Sequence, residues 1–381
     1  MIDAYVEALI YQTLERAKVL RGKIRNPSPT AEFSALQSRC EYRLDEAVQR
    51  LTYLRDDMDI KRQENVQIRM RLLRRAIEDM AQLEYTGIAA LNRPTADDVM
   101  LNKLVFAAHQ EISYPLTVPA VTCLSQSYYV VYPSIGLMAV PLAEPDFLLH
   151  LPDLYHELAH PIIAASGDPR AERFQTELAK FNSVVSTTFA QRMTDIARQT
   201  GPRDYLTFES NLLEHLWIKY WSVELFCDLF AAYTLGPAYA WSHLHLTASR
   251  DADPYSVKIG HMPSHPPDQA RMEVMLHALS LLSYNKEAGR IRDRWNELLR
   301  TVGSKQESMY RKACPRELLE QAAAYALEGT KAIGCRLADG KADGEIHVLL
   351  NEAWQVFWQA PIKYLDWEKT KVKELREKYK A

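Results

Sequence analysis

Two histidines one helical turn apart constrain this chain more than any other feature. They lie in the run His156-Glu157-Leu158-Ala159-His160. On an α-helix, residues four apart share a face, so both imidazoles can hold one metal ion. Glu157 follows the first of them, where its carboxylate can reach a water on the open side of the metal. Two ligands, a polarised water and a base to take its proton form the arrangement of a zinc hydrolase. The same pentapeptide also fits a surface helix carrying two solvated histidines. Against that reading stands the apolar run before it, Phe147-Leu148-Leu149-His150-Leu151-Pro152-Asp153-Leu154-Tyr155. Such a run predicts a buried helix, and buried polar groups need partners.

A zinc hydrolase needs a third protein ligand and an open fourth position. The segment Trp221-Ser222-Val223-Glu224-Leu225-Phe226-Cys227-Asp228-Leu229-Phe230-Ala231-Ala232-Tyr233 is a long apolar helix with two acids in it. Glu224 and Asp228 are four apart and share a face. Burying them implies a cation or several donors opposite. Glu224 is the expected third ligand. Asp228 is expected to accept the free N–H of a ligand histidine and fix its tautomer. Glu214 is the rival ligand, and it has no second acid one turn later. Cys227, three residues from Glu224, reads as a small buried hydrophobe. As a zinc ligand it would close the site and make it structural.

A third segment is Gly260-His261-Met262-Pro263-Ser264-His265-Pro266-Pro267-Asp268-Gln269-Ala270-Arg271. Its prolines and glycine predict a rigid turn, followed by a helix from about Asp268. His265 sits at the mouth of that helix and Arg271 in its first turns.

Taken in order, HELAH, ELFCD and SHPPDQAR resemble the gluzincin metallopeptidases, in particular the CaaX-prenyl-protease and HtpX-like branch. The resemblance spans roughly residues 128 to 284. It implies a zincin-like core with one Zn2+ held by His156, His160 and Glu224. It implies Glu157 as general base and Asp228 as the acid behind a ligand. It also implies that His265 stabilises the oxyanion and that Arg271 braces the site. The chain departs from that branch in two ways. Its members are often membrane proteins, whereas this sequence has no run of about 18 apolar residues. Pro161 directly follows the second histidine, so the zinc helix is expected to end or kink there.

Charge is nearly balanced at −3, which points away from nucleic acid or an anionic membrane as main partner. The opening run Met1-Ile2-Asp3-Ala4-Tyr5-Val6-Glu7 lacks the basic and apolar regions of a signal peptide. Five scattered cysteines, an odd number, read as reduced thiols of a cytoplasmic protein.

The expected fold is mainly α with a small β-sheet. Three regions are expected: a helical N-terminal region 1–110, a metallopeptidase core 111–302 and a helical C-terminal extension 303–381. The first region reads as long charged helices broken at Asn26-Pro27-Ser28-Pro29. The arginines of the run 66–77 are expected on a solvated face. Thr95 with Asp98 marks a helix start. Ser127–Tyr132 and Ile135–Val140 read as strands around a Pro133-Ser134 turn. By family inference, an edge strand at this point pairs with substrate backbone. Helical patterns follow over 169–200, 204–248 and 267–302, with three further helices over 314–380. Trp354-Gln355-Val356-Phe357-Trp358 reads as core, and the charged tail as a surface helix.

The expected function is zinc-dependent hydrolysis of peptide bonds, with a protein or peptide substrate. The helical extensions are expected to control access or to meet a regulatory protein partner. Two alternatives stand beside it: a helical interaction protein with a structural or degenerate zinc site, and a zinc hydrolase of a non-peptide bond. Glu157 favours an enzyme, since it has no duty in a structural zinc cage.

Overall fold

A computed structural model describes residues 2–25, 31–125, 128–200, 204–257, 265–306, 308–340 and 342–379. The expected break at Asn26-Pro27-Ser28-Pro29, residue Ser127 and the stretch from Gly260 to Ser264 lie outside the described residues. The chain is mainly helical and carries a small three-stranded sheet. It divides into two units. One comprises residues 1–104, 118–143 and 375–381, and the other residues 105–117 and 144–374.

The first unit begins with α1 (Ile2–Arg25), α2 (Ser34–Asp56) and α3 (Val66–Leu83). In α1, the buried residues Val6, Ile10, Leu14, Ala17, Leu20 and Ile24 recur at three- and four-residue steps. That spacing gives one apolar stripe. It packs with Leu36, Cys40, Leu44, Ala47 and Leu51 of α2 and with Leu73, Ala76 and Met80 of α3. Arg71, Arg74 and Arg75 are solvated as expected. Arg69 is the exception: it is buried, and its Nε donates to the Leu54 carbonyl at 3.1 Å. The end of α2 is thereby satisfied by a side chain from the next helix.

After α3 a π-helical turn, Glu84–Ile88, leads into the short α4 (Ala89–Asn92). Gly87 sits in this turn against α2, and a Cβ there would stand 2.5 Å from the Cys40 sulfur. Gly87→Ala is therefore expected to lower stability by about 1–3 kcal/mol through overpacking. Urea denaturation measures it, and a variant as stable as the wild type would contradict the close packing.

Thr95 and Asp98 cap α5 (Ala96–Glu111) reciprocally. The Thr95 N–H donates to Asp98 at 2.7 Å, and the Asp98 N–H donates to the Thr95 hydroxyl at 3.1 Å. The sheet contains β1 (Ala120–Thr122), β2 (Val130–Tyr132) and β3 (Leu137–Ala139) in the order β1-β3-β2. β2 and β3 form the expected antiparallel pair, with Val131 opposite Met138. β1 adds in parallel to β3. Only three residues long, it shows no readable alternation in the sequence.

The second unit carries the remaining helices: α6 (Asp153–Ala164), α7 (Glu172–Thr200), α8 (Asp204–Leu216), α9 (Ser222–Leu235), α10 (Pro237–Ala248), α11 (Asp268–Leu281), α12 (Asn285–Thr301), α13 (Ser308–Ala313), α14 (Arg316–Ala332), α15 (Glu345–Gln359) and α16 (Pro361–Lys378). α9 is its axis. Every residue from Glu224 to Leu235 is buried, as an all-round apolar helix requires. The helices α6, α7, α10, α11 and α14 pack around it. Gly236 ends α9 with φ +81° and ψ −145°, a conformation essentially reserved for glycine. Pro237 then starts α10. The Asn351 side chain of α15 clamps this corner, donating to the Leu235 carbonyl and accepting from the Ala238 N–H, each at 3.0 Å. The helical pattern read over 204–248 is thus two differently directed pieces.

The C-terminal residues do not stand apart. Tyr233 of α9 donates to the Ala323 carbonyl of α14 at 2.6 Å. The Glu368 carboxylate of α16 accepts from the Leu148 N–H at 2.7 Å, just ahead of α6. The division at 104/105 and 143/144 therefore differs from the three consecutive regions expected. Residues 303–374 belong to the unit that holds the histidines, because α14 and α15 supply part of its core. Trp354 is buried as expected, and stacks on Trp241 with ring centroids 6.3 Å apart.

Candidate metal centre

Helix α6 presents His156, Glu157 and His160, all strongly desolvated. Of the end or kink expected at Pro161, the end does not occur: the helix continues through Pro161 to Ala164. Proline leaves the Glu157 carbonyl without its usual i+4 donor. Only the last turn is affected, however, and the burial of Ile162 holds that turn against the unit's core. The neighbouring Leu158 carbonyl accepts the Tyr114 hydroxyl at 2.7 Å.

Helix α9 faces α6 with Glu224, Cys227 and Asp228. A π-helical turn, Trp217–Trp221, precedes it directly and offsets its register from α8. Single π turns recur at functional sites. Asp228 is fully buried and organises the polar cluster. Arg271 of α11 grips it with two parallel bonds, Nε to Oδ2 at 2.7 Å and Nη2 to Oδ1 at 2.6 Å. Tyr239 of α10 donates its hydroxyl to Oδ1 at 2.5 Å. His156 Nδ1 lies 2.9 Å from the same oxygen. Since Tyr239 and Arg271 both donate, the carboxylate is the acceptor, and Nδ1 of His156 carries hydrogen.

Nε2 of His156 then faces the interior of the site. It lies 3.4 Å from Oε2 of Glu224. The His160 ring stands 5.1 Å from that of His156, tilted by 71°. His265 places Nε2 3.1 Å from the same Glu224 oxygen, and its side chain is half exposed. These are ion-pair approaches. The buried Oε2 still lacks an aligned hydrogen bond, although Glu224 is only 9% exposed. Among the described residues, the ligand atoms within 4.8 Å of one another belong to His156, His160 and Cys227. Cys227 is buried as expected, and its sulfur is part of the cluster. Glu214 is half-buried on α8.

Electrostatics follow from this crowding. Burial opposes charge on His156, but the bond to Asp228 and the nearby Glu224 carboxylate overcome it and raise its pKa to about 10. His160 is pushed down to about 4, first by burial and then by the charge on His156. Burial raises Glu157 to about 7. Burial also works against the ionised Glu224, but His156 and His265 hold it well below the ordinary carboxylate range. In the metal-free protein, a proton on His156 supplies positive charge among three acids.

Tyr239 was not legible as a site residue. It lies in an apolar stretch, and nothing in its spacing ties it to Asp228; only the turn at Gly236 folds α10 back beside α6. Comparison of the chain with protein-family models, with curated proteins and with solved structures gives no match.

Proposed function

We propose that this chain is a zinc metallopeptidase of the gluzincin type, with a zincin-like core. The observation that carries the reading is the orientation of His156. Asp228, itself locked by Arg271 and Tyr239, holds Nδ1 and leaves Nε2 directed at the Glu224 oxygen that lacks a hydrogen bond. A carboxylate behind a histidine is the usual support of a metal ligand. The residues present fit one Zn2+, with His156, His160 and Glu224 as ligands.

Bound zinc would supply Lewis acidity, polarising a peptide carbonyl and acidifying a water. Glu157 takes the proton of the attacking water and can pass it to the leaving amine. Its burial favours this, because a base near neutrality both accepts and returns a proton readily. His265, half exposed at the edge of the cluster, can donate to the oxygen of the tetrahedral intermediate. Arg271 and Asp228 keep His156 from rotating.

A protein or peptide substrate and an intracellular setting belong to the same proposal. The latter rests on five cysteines that are all free and buried. Among the described residues, no helix is long and apolar enough to cross a membrane.

Purified protein is expected to carry close to one zinc per chain by elemental analysis, and to lose it in a His156→Ala, His160→Ala double variant. Zinc-loaded wild type should cleave members of a mixed peptide library, read by mass spectrometry. Stoichiometric zinc retained by the double variant would remove the site assignment. A zinc-loaded protein that cleaves no peptide would turn the reading toward a structural centre.

A further inference from the structure

Cys227 stands where a purely catalytic His2Glu site has no need of it. On α9 it is three residues after Glu224 and one before Asp228, on the side of the helix that faces α6. Its sulfur is fully buried and lies within 4.8 Å of a ring nitrogen of His156 and of His160. A Glu224 oxygen, buried without a hydrogen bond, lies 3.4 Å from His156 Nε2. Two imidazoles and one thiol thus converge on one volume from two packed helices, and the carboxylate reaches it on the His156 side.

We propose that Cys227 is a fourth protein ligand to the zinc, and that it closes the resting site. This rests on the zinc reading above. The thiol gives up its proton to water as the metal enters, and the sulfur donates a lone pair to zinc with no change of oxidation state. Four protein ligands complete a tetrahedron and leave no position for water. Glu157 then has nothing to deprotonate until the sulfur leaves. Hydrolysis therefore requires the substrate to displace one soft ligand, which slows the wild type without abolishing its cleavage. A site closed in this way restrains the peptidase until a bound substrate displaces the sulfur from the metal.

X-ray absorption at the zinc edge of the wild-type protein reads the ligand set directly. The expected result is one sulfur at about 2.3 Å alongside nitrogen and oxygen at about 2.0–2.2 Å. Cobalt-substituted wild type should show a thiolate-to-metal charge-transfer band in the near ultraviolet. That band should vanish in Cys227→Ser and Cys227→Ala while the metal stays bound, and the two variants should cleave peptides faster than the wild type. A full complement of zinc with only nitrogen and oxygen neighbours would overturn the thiolate ligand and leave the His2Glu reading standing. Failure of the wild type to bind zinc or cobalt at all would overturn both.

Discussion

Glu157→Gln is expected to lower peptide hydrolysis by roughly 10²–10⁴-fold, the usual worth of a general base, while zinc content stays at the wild-type level. Glutamine keeps the size and polarity of the side chain and leaves every proposed ligand in place, but it cannot accept the proton of water. The comparison is made on zinc-loaded proteins with the same peptide, so that a lost metal is not mistaken for a lost base. Stability supplies an internal control. Burial raises the Glu157 carboxyl from 4.5 to about 7, so the folded protein binds this proton more tightly than the unfolded chain does. The resulting penalty on the folded state grows as pH rises between those values, and it is complete above about 7. Glutamine never ionises and avoids it. The metal-free variant should therefore melt no lower than metal-free wild type at pH 8. Unchanged cleavage would remove Glu157 as base. A variant that melts well below the wild type would show instead that the carboxylate supports the fold.

The largest effect on stability is expected at Asp228. Asp228→Ala leaves the Arg271 guanidinium buried without its counter-charge, and removes the acceptor of Tyr239 and His156. Breaking one side of a buried ion pair costs about 3–5 kcal/mol. Loss of the carboxylate behind a ligand histidine should also weaken zinc about 10–100-fold. The two consequences separate in the double variant Asp228→Leu, Arg271→Met. Removing both charges should restore most of the stability, because a buried pair is often no better than apolar packing. Zinc affinity should stay low, because His156 Nδ1 then keeps only the Tyr239 hydroxyl at 3.0 Å and no carboxylate. Urea denaturation and chelator competition measure the two quantities. An Asp228→Ala protein within 1 kcal/mol of wild type would mean that the Arg271–Asp228 pair is not the strut described here. A double variant that regains wild-type zinc affinity would show that Asp228 does not orient His156.

Local spacing carried much of what was legible from the residues alone. His156 and His160, or Glu224 and Asp228, meet on a helical face whatever the rest of the chain does, because four residues complete about one turn. Two acids in an otherwise apolar segment also announced company, since burying them alone would be too costly. The cap at Thr95 and Asp98 and the β2–β3 pair were legible for the same reason: their partners lie within a few residues. Packing against distant elements lay outside that reach. Arg69 belongs by pattern to a solvated face, yet it finds the open end of α2 fifteen residues upstream. Pro161 predicted an end or a kink, and the pull of Ile162 into the core carries α6 on for another turn.

By itself, then, the sequence determined which polar side chains share a face of α6 and of α9, and a mostly helical chain. Tertiary structure decided which groups meet. It brought Tyr239 to Asp228 through the corner at Gly236, and it placed Cys227 beside both histidines. It also drew α14, α15 and most of α16 into the unit that holds the cluster. The physical reason is that helical periodicity fixes which side chains share a face. Which face meets which other is set by burial summed over α6, α9, α10 and α11 together, and no local run of residues encodes that sum.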